Sequence, residues 1–327
     1  MSTAQDKDFS AFEEKLFASV ILPDHAYRKI NKLINFVELT KPLKKLYSPL
    51  GQHGIPVVKG VKAMMLQFWE DYSDRQMEAA VRENFAIRWF CGFSLTEKTP
   101  DHTYFCKLRK RTGTKRLADM FNFINSELQR KGLFGNIFYF LDASTIITKS
   151  ALWEERDRAI KDGHDKLNNL VVKEYAVDKD ARWGAKSKKN IWFGYKRHTA
   201  VDMRYGLISK TTVTPANVLD YQVVEQICPP QGYLFMDKLY DTKKTDQRVK
   251  ASGCSPGTIR KNNNQNKNYD LDRWRSSMRM PYEGTFSKLR KYTRYRGKTK
   301  VAFQNFGESI AYNLKKAIQY LPTTAYN

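Results

Sequence analysis

Apolar residues in the first third of the chain recur at the three- and four-residue spacing of a helix. One such stripe predicts a helix over 60–69. Ser73 and Gln76 have the spacing of a capping box and predict a second helix over 74–83. Patterns of this kind indicate that residues 1–130 form a mostly helical N-terminal domain.

A basic helix is expected at the end of this series, over residues 102–111, where it carries Lys107 and Arg109. Short helices joined by tight turns, the last of them basic, are typical of a helix-turn-helix DNA-binding unit. A helical cap with a solvated basic face explains the same pattern equally well.

The pattern changes near residue 136, where strands begin. Residues 137–141 and 232–236 are short, continuous apolar runs typical of buried strands. Each run ends at an aspartate, Asp142 and Asp237. The remaining expected elements are strands over 195–203, 206–215 and 258–260 and helices near 151–160, over 220–227 and from about residue 271 apart from a basic loop near 294–300. This order predicts a three-layer α/β domain over 131–327, with a charged insertion at about 150–190.

The composition fits a folded protein with a polyanionic partner. The chain has 327 residues, 41% of them apolar, which is enough for about two domains. Its net charge of +23 indicates an acidic polymer as partner, although a generally basic protein would show the same surplus. Residues 243–300 hold 17 lysines and arginines against four acids, which favours a DNA-backbone surface in the C-terminal third.

Several classes of protein are excluded. The first residues lack the basic and apolar segments of a secretory signal, and no apolar stretch approaches the ~20 residues that span a bilayer. Four cysteines and five histidines are scattered, which argues against a disulfide framework or a Cys/His zinc site. We therefore expect a cytoplasmic protein, with no membrane partner.

Three carboxylates are the candidates for chemistry. Asp142 and Asp237 end adjacent buried strands, so they should lie close together at the edge of the sheet. Glu283 is one of only two acids between Leu271 and Arg296. Mg²⁺ prefers oxygen ligands, and two such ions ~4 Å apart can activate an attacking oxygen and stabilise a leaving one. Each aspartate alone is more simply a cap or turn residue, but together with the basic surplus they indicate phosphodiester chemistry.

The motifs then resemble those of a known family. In the first domain they are Tyr72 to Glu78, Phe93 to Leu95 and Thr99 to Thr103; in the second they are Leu141 to Ser144, Asp178 to Lys196, His198, Val201 to Asp202, Gly206 to Ile208, Val213 to Asn217, Asp220, Asp237 with Tyr240, Arg279 with Glu283, Tyr295 to Gly297 and Ala311 to Leu314. Each string is weak evidence, but their order and spacing are specific. The chain resembles bacterial insertion-sequence transposases with a DDE catalytic core, most closely the insertion-sequence-five family.

The resemblance implies a ribonuclease-H-like mixed-sheet catalytic core that binds metal through Asp142, Asp237 and Glu283, with Tyr240 and His198 in support. It implies Mg²⁺ as cofactor, two ions per active site, with Mn²⁺ able to substitute. The expected activity is binding of terminal inverted repeats in double-stranded DNA, hydrolysis at the element ends and joining of the 3′-hydroxyl ends to target DNA. Because two ends must be brought together, we expect a homodimer or a higher oligomer on DNA.

The chain departs from the family pattern at four positions. Ser276 replaces a tyrosine, Arg290 replaces a lysine, and Leu239 stands where a glycine precedes the tyrosine. Pro281 predicts that the helix bearing Glu283 starts there, which would leave Arg279 in the preceding turn.

Other polar residues have competing interpretations. Asp202 and Asp220 are expected to be structural turn and cap residues. His198 is expected to be structural or to contact phosphate. A charge run is formed by Arg182, Lys186, Lys188, Lys189, Lys196 and Arg197. It is interleaved with Trp183, Trp192, Phe193 and Tyr195, which suggests either a solvated surface or base stacking. The residues expected to bind DNA are Lys107, Arg109, Arg182, Lys196, Arg279, Lys288, Arg290, Arg294 and Arg296.

Two rival functions remain open from sequence alone. One is a catalytically decayed transposase remnant that only binds DNA. The other is an ordinary nuclease that cuts without joining strands. Loss of cleavage on removal of the carboxylates would separate the enzyme from the remnant, and joined products would separate a transposase from a nuclease.

Overall fold

The computed structural model describes residues 9–47, 54–148, 168, 172, 174, 176–187 and 190–321, without the side chains of Glu283 and Phe286. The helix expected near 151–160 and most of the charged insertion lie outside the described residues. Within the described part, no helix combines the length and apolar character needed to cross a bilayer.

The chain divides into two compact units. One falls within Met1–Leu133 and Ile310–Asn327, and the other within Phe134–Ser309. The sequence had placed a boundary near residue 130 and assigned everything after it to the second domain. The last residues instead join the first unit.

The first unit is helical. Its helices are α1 (Ala11–Val20), α2 (Ala26–Leu33), α3 (Phe36–Lys44), α4 (Val57–Trp69), α5 (Asp74–Glu83), α6 (Phe85–Cys91) and α7 (His102–Arg130). The predicted capping box is confirmed, because Ser73 accepts from the Gln76 amide while the Gln76 side chain accepts from the Ser73 amide. The predicted basic helix is the first segment of α7, which is interrupted at Gly113 (φ 68°, ψ 163°), a conformation that suits glycine.

The second unit contains a six-stranded mixed sheet. Its strands are β1 (Phe138–Ile147), β2 (Arg182–Ala185), β3 (Ile191–Asp202), β4 (Leu207–Pro215), β5 (Gly232–Met236) and β6 (Cys254–Thr258). The order is β2-β3-β1-β5-β6, and β4 pairs with β3. β1, β3 and β4 are antiparallel, whereas β1, β5 and β6 are parallel. This mixed α/β sheet confirms the predicted fold class, a ribonuclease-H-like core preceded by a helical domain.

Helices cover both faces of the sheet. Short helix α8 (Val224–Ile227) and α9 (Lys243–Ala251) pack on the face that carries Leu141 and Met236. The other face, which carries Phe140 and Phe235, is covered by α10 (Tyr269–Ser287), and α11 (Lys298–Ala317) packs nearby through Val301. The predicted three-layer arrangement is confirmed.

The strands β1, β3 and β6 differ from their predicted bounds, and β2 lies within the stretch predicted to be a charged insertion. β3 begins at Ile191 and not at residue 195. β1 continues past Asp142 to Ile147, because its antiparallel pairing with β3 runs on after its pairing with β5 has ended. The last strand is β6 (Cys254–Thr258), not 258–260. Pro256 and Gly257 read as turn residues, yet β6 is an edge strand, where proline is tolerated. A Cβ at Gly257 would lie 2.2 Å from the Tyr233 ring, so glycine is required there.

The prediction that a helix starts at Pro281 is wrong. Pro281 lies inside α10, which begins at Tyr269, so Arg279 is helical and does not lie in a preceding turn. The proline removes one backbone donor, which would have bonded the Ser277 carbonyl. Both Ser277 and Pro281 are exposed, so water can bond that carbonyl and the helix continues.

Candidate active site

The parallel pairing of β1 with β5 brings two aspartates together. Leu141 is the register partner of Met236, and the next residue along each strand is Asp142 or Asp237. Both carboxylates therefore lie at the same edge of the β1–β5 pair. Their predicted juxtaposition follows from this register, although Asp142 lies within β1 and not at its end.

Asp142 is half-buried beside the sheet. Its carboxylate accepts a hydrogen bond of 2.7 Å from the Ala143 amide. Burial raises the pKa of Asp142 to about 6, while the Ala143 amide, Arg279 and Lys186 oppose that rise and Asp237 adds to it. A carboxyl group that is costly to ionise without a counter-charge is suited to hold a cation.

Asp237 begins the turn after β5. Its carboxylate caps the short 3₁₀ turn Lys238–Tyr240 by accepting from the Lys238 amide at 2.7 Å. Arg279, from α10, approaches the same carboxylate at 3.4 Å and lies over the Phe140 ring at 5.1 Å. The buried Arg279 Nε has no hydrogen-bond partner among the described residues. Arg279 is thus a counter-ion of Asp237 in this structure.

Glu283 lies in α10, four residues after Arg279, and positions four apart share one face of a helix. The side chain of Glu283 lies outside the described residues. Among the side chains that are described, no three His, Cys, Asp or Glu residues come together as a metal site. The oxygen donors of Asp142 and Asp237 are the type that Mg²⁺ prefers, so the described part of the site fits a hard divalent cation.

The two supporting residues are buried on the opposite face of the sheet. His198 Nε2 contacts Thr214 Oγ1 at 2.8 Å, and His198 Nδ1 has no partner among the described groups. Its fully buried ring cannot contact a DNA phosphate in this structure. Tyr240 is also buried, its hydroxyl likewise lacks a described partner, and burial raises its pKa well above the usual value.

His198 predicts a pH dependence of stability. Burial lowers its pKa from 6.5 to about 4, with Lys196 also lowering it and Asp220 opposing. Between these values the unfolded chain binds a proton that the folded chain does not, so the free energy of unfolding should fall as pH drops from 6.5 towards 4. Urea unfolding at several pH values should show a shallower decline for His198→Gln. Equal slopes in the two proteins would contradict this. The raised pKa of Asp142 adds an opposite slope to both proteins, so the difference isolates His198.

The rival aspartates have structural partners. Asp202 is fully buried and accepts from the backbone amides of Gly135, Asn136 and Arg204. Asp220 pairs with Lys196 at 2.9 Å. Asp220 is the first residue of a 3₁₀ turn and not its N-cap, so its structural role is that ion pair.

The aromatic residues of the charge run do not stack on bases in this structure. Trp183, Trp192, Phe193 and Tyr195 are all at most 5% exposed. They belong to strands β2 and β3, and three of them pack in the core beneath α11. The interpretation of these rings as a base-stacking surface is therefore wrong.

The basic residues expected to bind DNA fall into three groups. The exposed ones are Lys107, Lys288 and Arg296, and the half-buried ones are Arg182, Arg290 and Arg294. The remaining three form ion pairs within the described protein, namely Arg109 with Asp74, Lys196 with Asp220 and Arg279 with Asp237. DNA contact by any of them stays a prediction.

Sequence reasoning missed a buried polar network behind the site. Arg197, counted with the surface charge run, is 1% exposed and pairs with Glu308 of α11. Asn305 accepts from Arg197 Nε at 2.5 Å and donates to Thr211 at 2.9 Å. Arg197 and Glu308 are 111 residues apart, and no local pattern marks them as partners.

Comparison with known protein families now identifies the chain. The family model described as "Transposase DDE domain" matches residues 135–314, more than half of the chain and all three predicted carboxylates. The chain belongs to the DDE transposases. A second family model, "Transposase domain (DUF772)", matches residues 15–111 of this transposase. No solved structure matches the chain.

Membership in this family confirms several of the predictions made from the sequence. The protein is an insertion-sequence transposase of the DDE type that acts on DNA, and domains of this family generally use divalent metals. The narrower assignment to the insertion-sequence-five family stays a prediction. So do the site residues and the identity of the metal.

Proposed function

We propose that this transposase binds the terminal inverted repeats of its own element, cuts the DNA at the element ends and joins the freed 3′-hydroxyls to target DNA. The observation that carries the proposal is the register of β1 with β5, which sets Asp142 beside Asp237. Two carboxylates on neighbouring strands, with position 283 on the helix face that also presents Arg279, form the framework of a DDE triad.

Asp142, Asp237 and Glu283 would hold two Mg²⁺ ions, for which Mn²⁺ would substitute. When bound, the ions supply charge that lowers the pKa of an attacking oxygen and neutralises the leaving one. In the first step, a water oxygen would bond to phosphorus and the bond from phosphorus to the 3′-oxygen would break. The water would release a proton to solvent and the departing 3′-oxygen would take one up, which leaves a 5′-phosphate and a 3′-hydroxyl. In the second step, the freed 3′-hydroxyl would lose its proton and bond to a target phosphorus, and the displaced target 3′-oxygen would take up a proton.

The protein's own residues prepare the site for these steps. The amides of Ala143 and Lys238 orient one oxygen of Asp142 and of Asp237. Arg279 balances the charge of Asp237 and is close enough to neutralise a phosphate that enters the site. No nucleophilic side chain is required, because water and the DNA 3′-hydroxyl are the attacking groups.

A duplex taken from the DNA that flanks the gene, labelled on one strand, tests the proposal. We expect nicking at the element boundary with Mg²⁺ or Mn²⁺, none with EDTA, and joined products when target DNA is added. Binding without nicking would favour the decayed remnant, and nicking without joining would favour a simple nuclease. Oligomer size on this DNA, measured by light scattering, should be a dimer or larger.

We further propose that the first unit binds DNA through the exposed face of α7. Lys107 is exposed there, whereas Arg109 forms two bonds, of 2.6 and 2.7 Å, with Asp74 at the start of α5. The neighbouring side chains that are also exposed are Lys110, Arg111 and Lys115.

Lys107→Gln should therefore lower DNA affinity, whereas Arg109→Gln should lower the stability of the protein. Lys107→Gln should weaken DNA binding and lower the salt slope by about 0.9, at unchanged melting temperature. Arg109→Gln should cost about 1 kcal/mol of stability, because it removes the ion pair with Asp74, which keeps its hydrogen bond of 2.6 Å from Gln67. Titrations at several salt concentrations and thermal melts measure both. Lys15→Gln, an exposed change on α1, is the control, and identical effects of Lys107→Gln and Lys15→Gln would contradict the assignment.

A further inference from the structure

The edge of β1 next to Asp142 is open. Among the described strands, β5 pairs with this edge only as far as Leu141, and Ile147 is the next residue paired there, with Tyr292. Between them, residues 142–145 line a cleft of about 400 Å³. That volume lies in the range of pockets that hold small ligands or one unit of a polymer.

Cationic side chains from two parts of the chain line this cleft. Lys186 follows β2, while Arg290 and Lys291 follow α10, and all three line the cleft. Lys186 and Lys291 are exposed. Among the described residues that line the cleft, Asp142 is the one acid, so the described lining carries more positive than negative charge.

Arg197, another cation of the lining, is paired within the protein. Arg197 is fully buried and pairs with Glu308. It therefore adds little net charge to the cleft, whose exposed cations are Lys186 and Lys291.

The floor of the cleft offers hydrogen-bond donors. The Ser144 hydroxyl is buried and has no partner among the described residues, which is costly unless a ligand or water supplies one. Ser144 lies two residues after Asp142, so both side chains share one face of the sheet. The Ile147 amide and carbonyl bond the 291–293 segment, so strand alternation directs the Thr145 amide to the same open edge.

We propose that this cleft, defined by Ser144, Lys186, Arg290 and Lys291, is a subsite for a DNA phosphodiester next to the one that is cut. Separate cations with hydroxyl and amide donors match the oxygens of a phosphate, and the cleft is continuous with Asp142. The proposal rests on the proposed function, since it assigns the strand that is cut to this cleft.

The test combines charge removal on the protein with charge removal on the DNA. Each duplex, taken from the DNA flanking the gene, carries one neutral methylphosphonate near the element boundary, and affinities are measured in EDTA with the full chain. Lys186→Gln should weaken binding of the unmodified duplex roughly tenfold at low salt and lower the salt slope by about 0.9. Lys15→Gln, an exposed change on α1 with the same loss of charge, should weaken it by less than about twofold.

One methylphosphonate position should show coupling. At that phosphate, the neutral group and Lys186→Gln together should cost no more affinity than either alone, because each removes the same contact. Lys291→Gln, from the other side of the cleft, should couple to the same phosphate or its neighbour. Additive losses at every position, or equal effects of Lys186→Gln and Lys15→Gln, would overturn the subsite.

This result is separable from the outcome for the proposed function. The affinities are read without metal, so they remain interpretable in a protein that never cuts DNA. Coupling without cleavage would support the subsite and refute the proposed activity, whereas cleavage without coupling would do the reverse. If the protein cuts, Ser144→Ala should lower the cleavage rate more than it lowers affinity, and an unchanged rate would remove Ser144 from the subsite.

Discussion

Asp142→Asn and Asp237→Asn are expected to lose strand cleavage while they keep DNA binding. The amide has the size of the carboxylate but no charge, so a divalent cation loses an ionic ligand. Changes to groups that only support a metal ligand cost 10–100-fold, so replacing a ligand should reduce the single-turnover rate by at least about 100-fold. Affinity for the flanking DNA should stay equal or rise, because a negative charge near phosphates has been removed.

Asp270→Asn, an exposed change near the start of α10, is the matched control and should cut at the parent rate. Cleavage and gel-shift measurements on the same preparations separate chemistry from binding. Cleavage by Asp142→Asn at the parent rate would remove Asp142 from the triad. Asp237→Asn also leaves Arg279 without its counter-ion, so its melting temperature should be compared with that of the parent.

The largest effect on stability is expected from Arg197. Its guanidinium group is buried against Glu308 and also donates to the Arg290 carbonyl at 3.4 Å. Burial lowers the pKa of Arg197 and raises that of Glu308, while each opposes the other's shift. Arg197→Met would leave the Glu308 charge buried without this partner, which should cost about 3–5 kcal/mol.

The double variant Arg197→Met/Glu308→Leu tests the cause of that loss. Because it buries no unpaired charge, it should recover most of the stability that either single variant loses. Chemical unfolding followed by a probe in the second unit measures the four proteins. Additive losses in the double variant would show that the two residues act independently. Gln304 donates to Glu308 at 2.7 Å, so this hydrogen bond should survive in Arg197→Met and be lost in Glu308→Leu.

The apolar pattern of residues 232–236 is sufficient to predict a strand and its position in the candidate site. Their uninterrupted run predicts β5 with its bounds, and the aspartate that follows lies in the site. β1 is longer than its apolar run predicts, because Asp142, Ser144 and Thr145 interrupt the apolar pattern. These polar residues lie in the part of β1 that no longer pairs with β5 and that lines the cleft. The end of the apolar run therefore marks the end of the pairing with β5 and not the end of the strand.

Charge and burial could not be separated along β3. Lys196 and Arg197 are adjacent in sequence, yet one pairs with Asp220 and the other with Glu308 on opposite faces of the sheet. The alternation of a strand sends neighbouring side chains to different environments. The local charge pattern therefore predicts the exposure of Lys186 correctly, whereas it fails to predict the burial of Arg197. Glu308, the partner that balances the buried charge of Arg197, lies on α11, and only the folded chain brings the two residues together.

The last helix has a consequence for how the protein is made. Residues from Ile310 onward belong to the first unit, where Asn313 donates to Asn125 at 2.8 Å and Leu314 is buried. A ribosome therefore finishes the residues of the first unit only after it has synthesised the whole second unit. A premature stop codon just after Ser309 would spare all three predicted carboxylates, yet the N-terminal unit would lack its final helical segment. We therefore expect translation products that end there to be poor competitors for DNA.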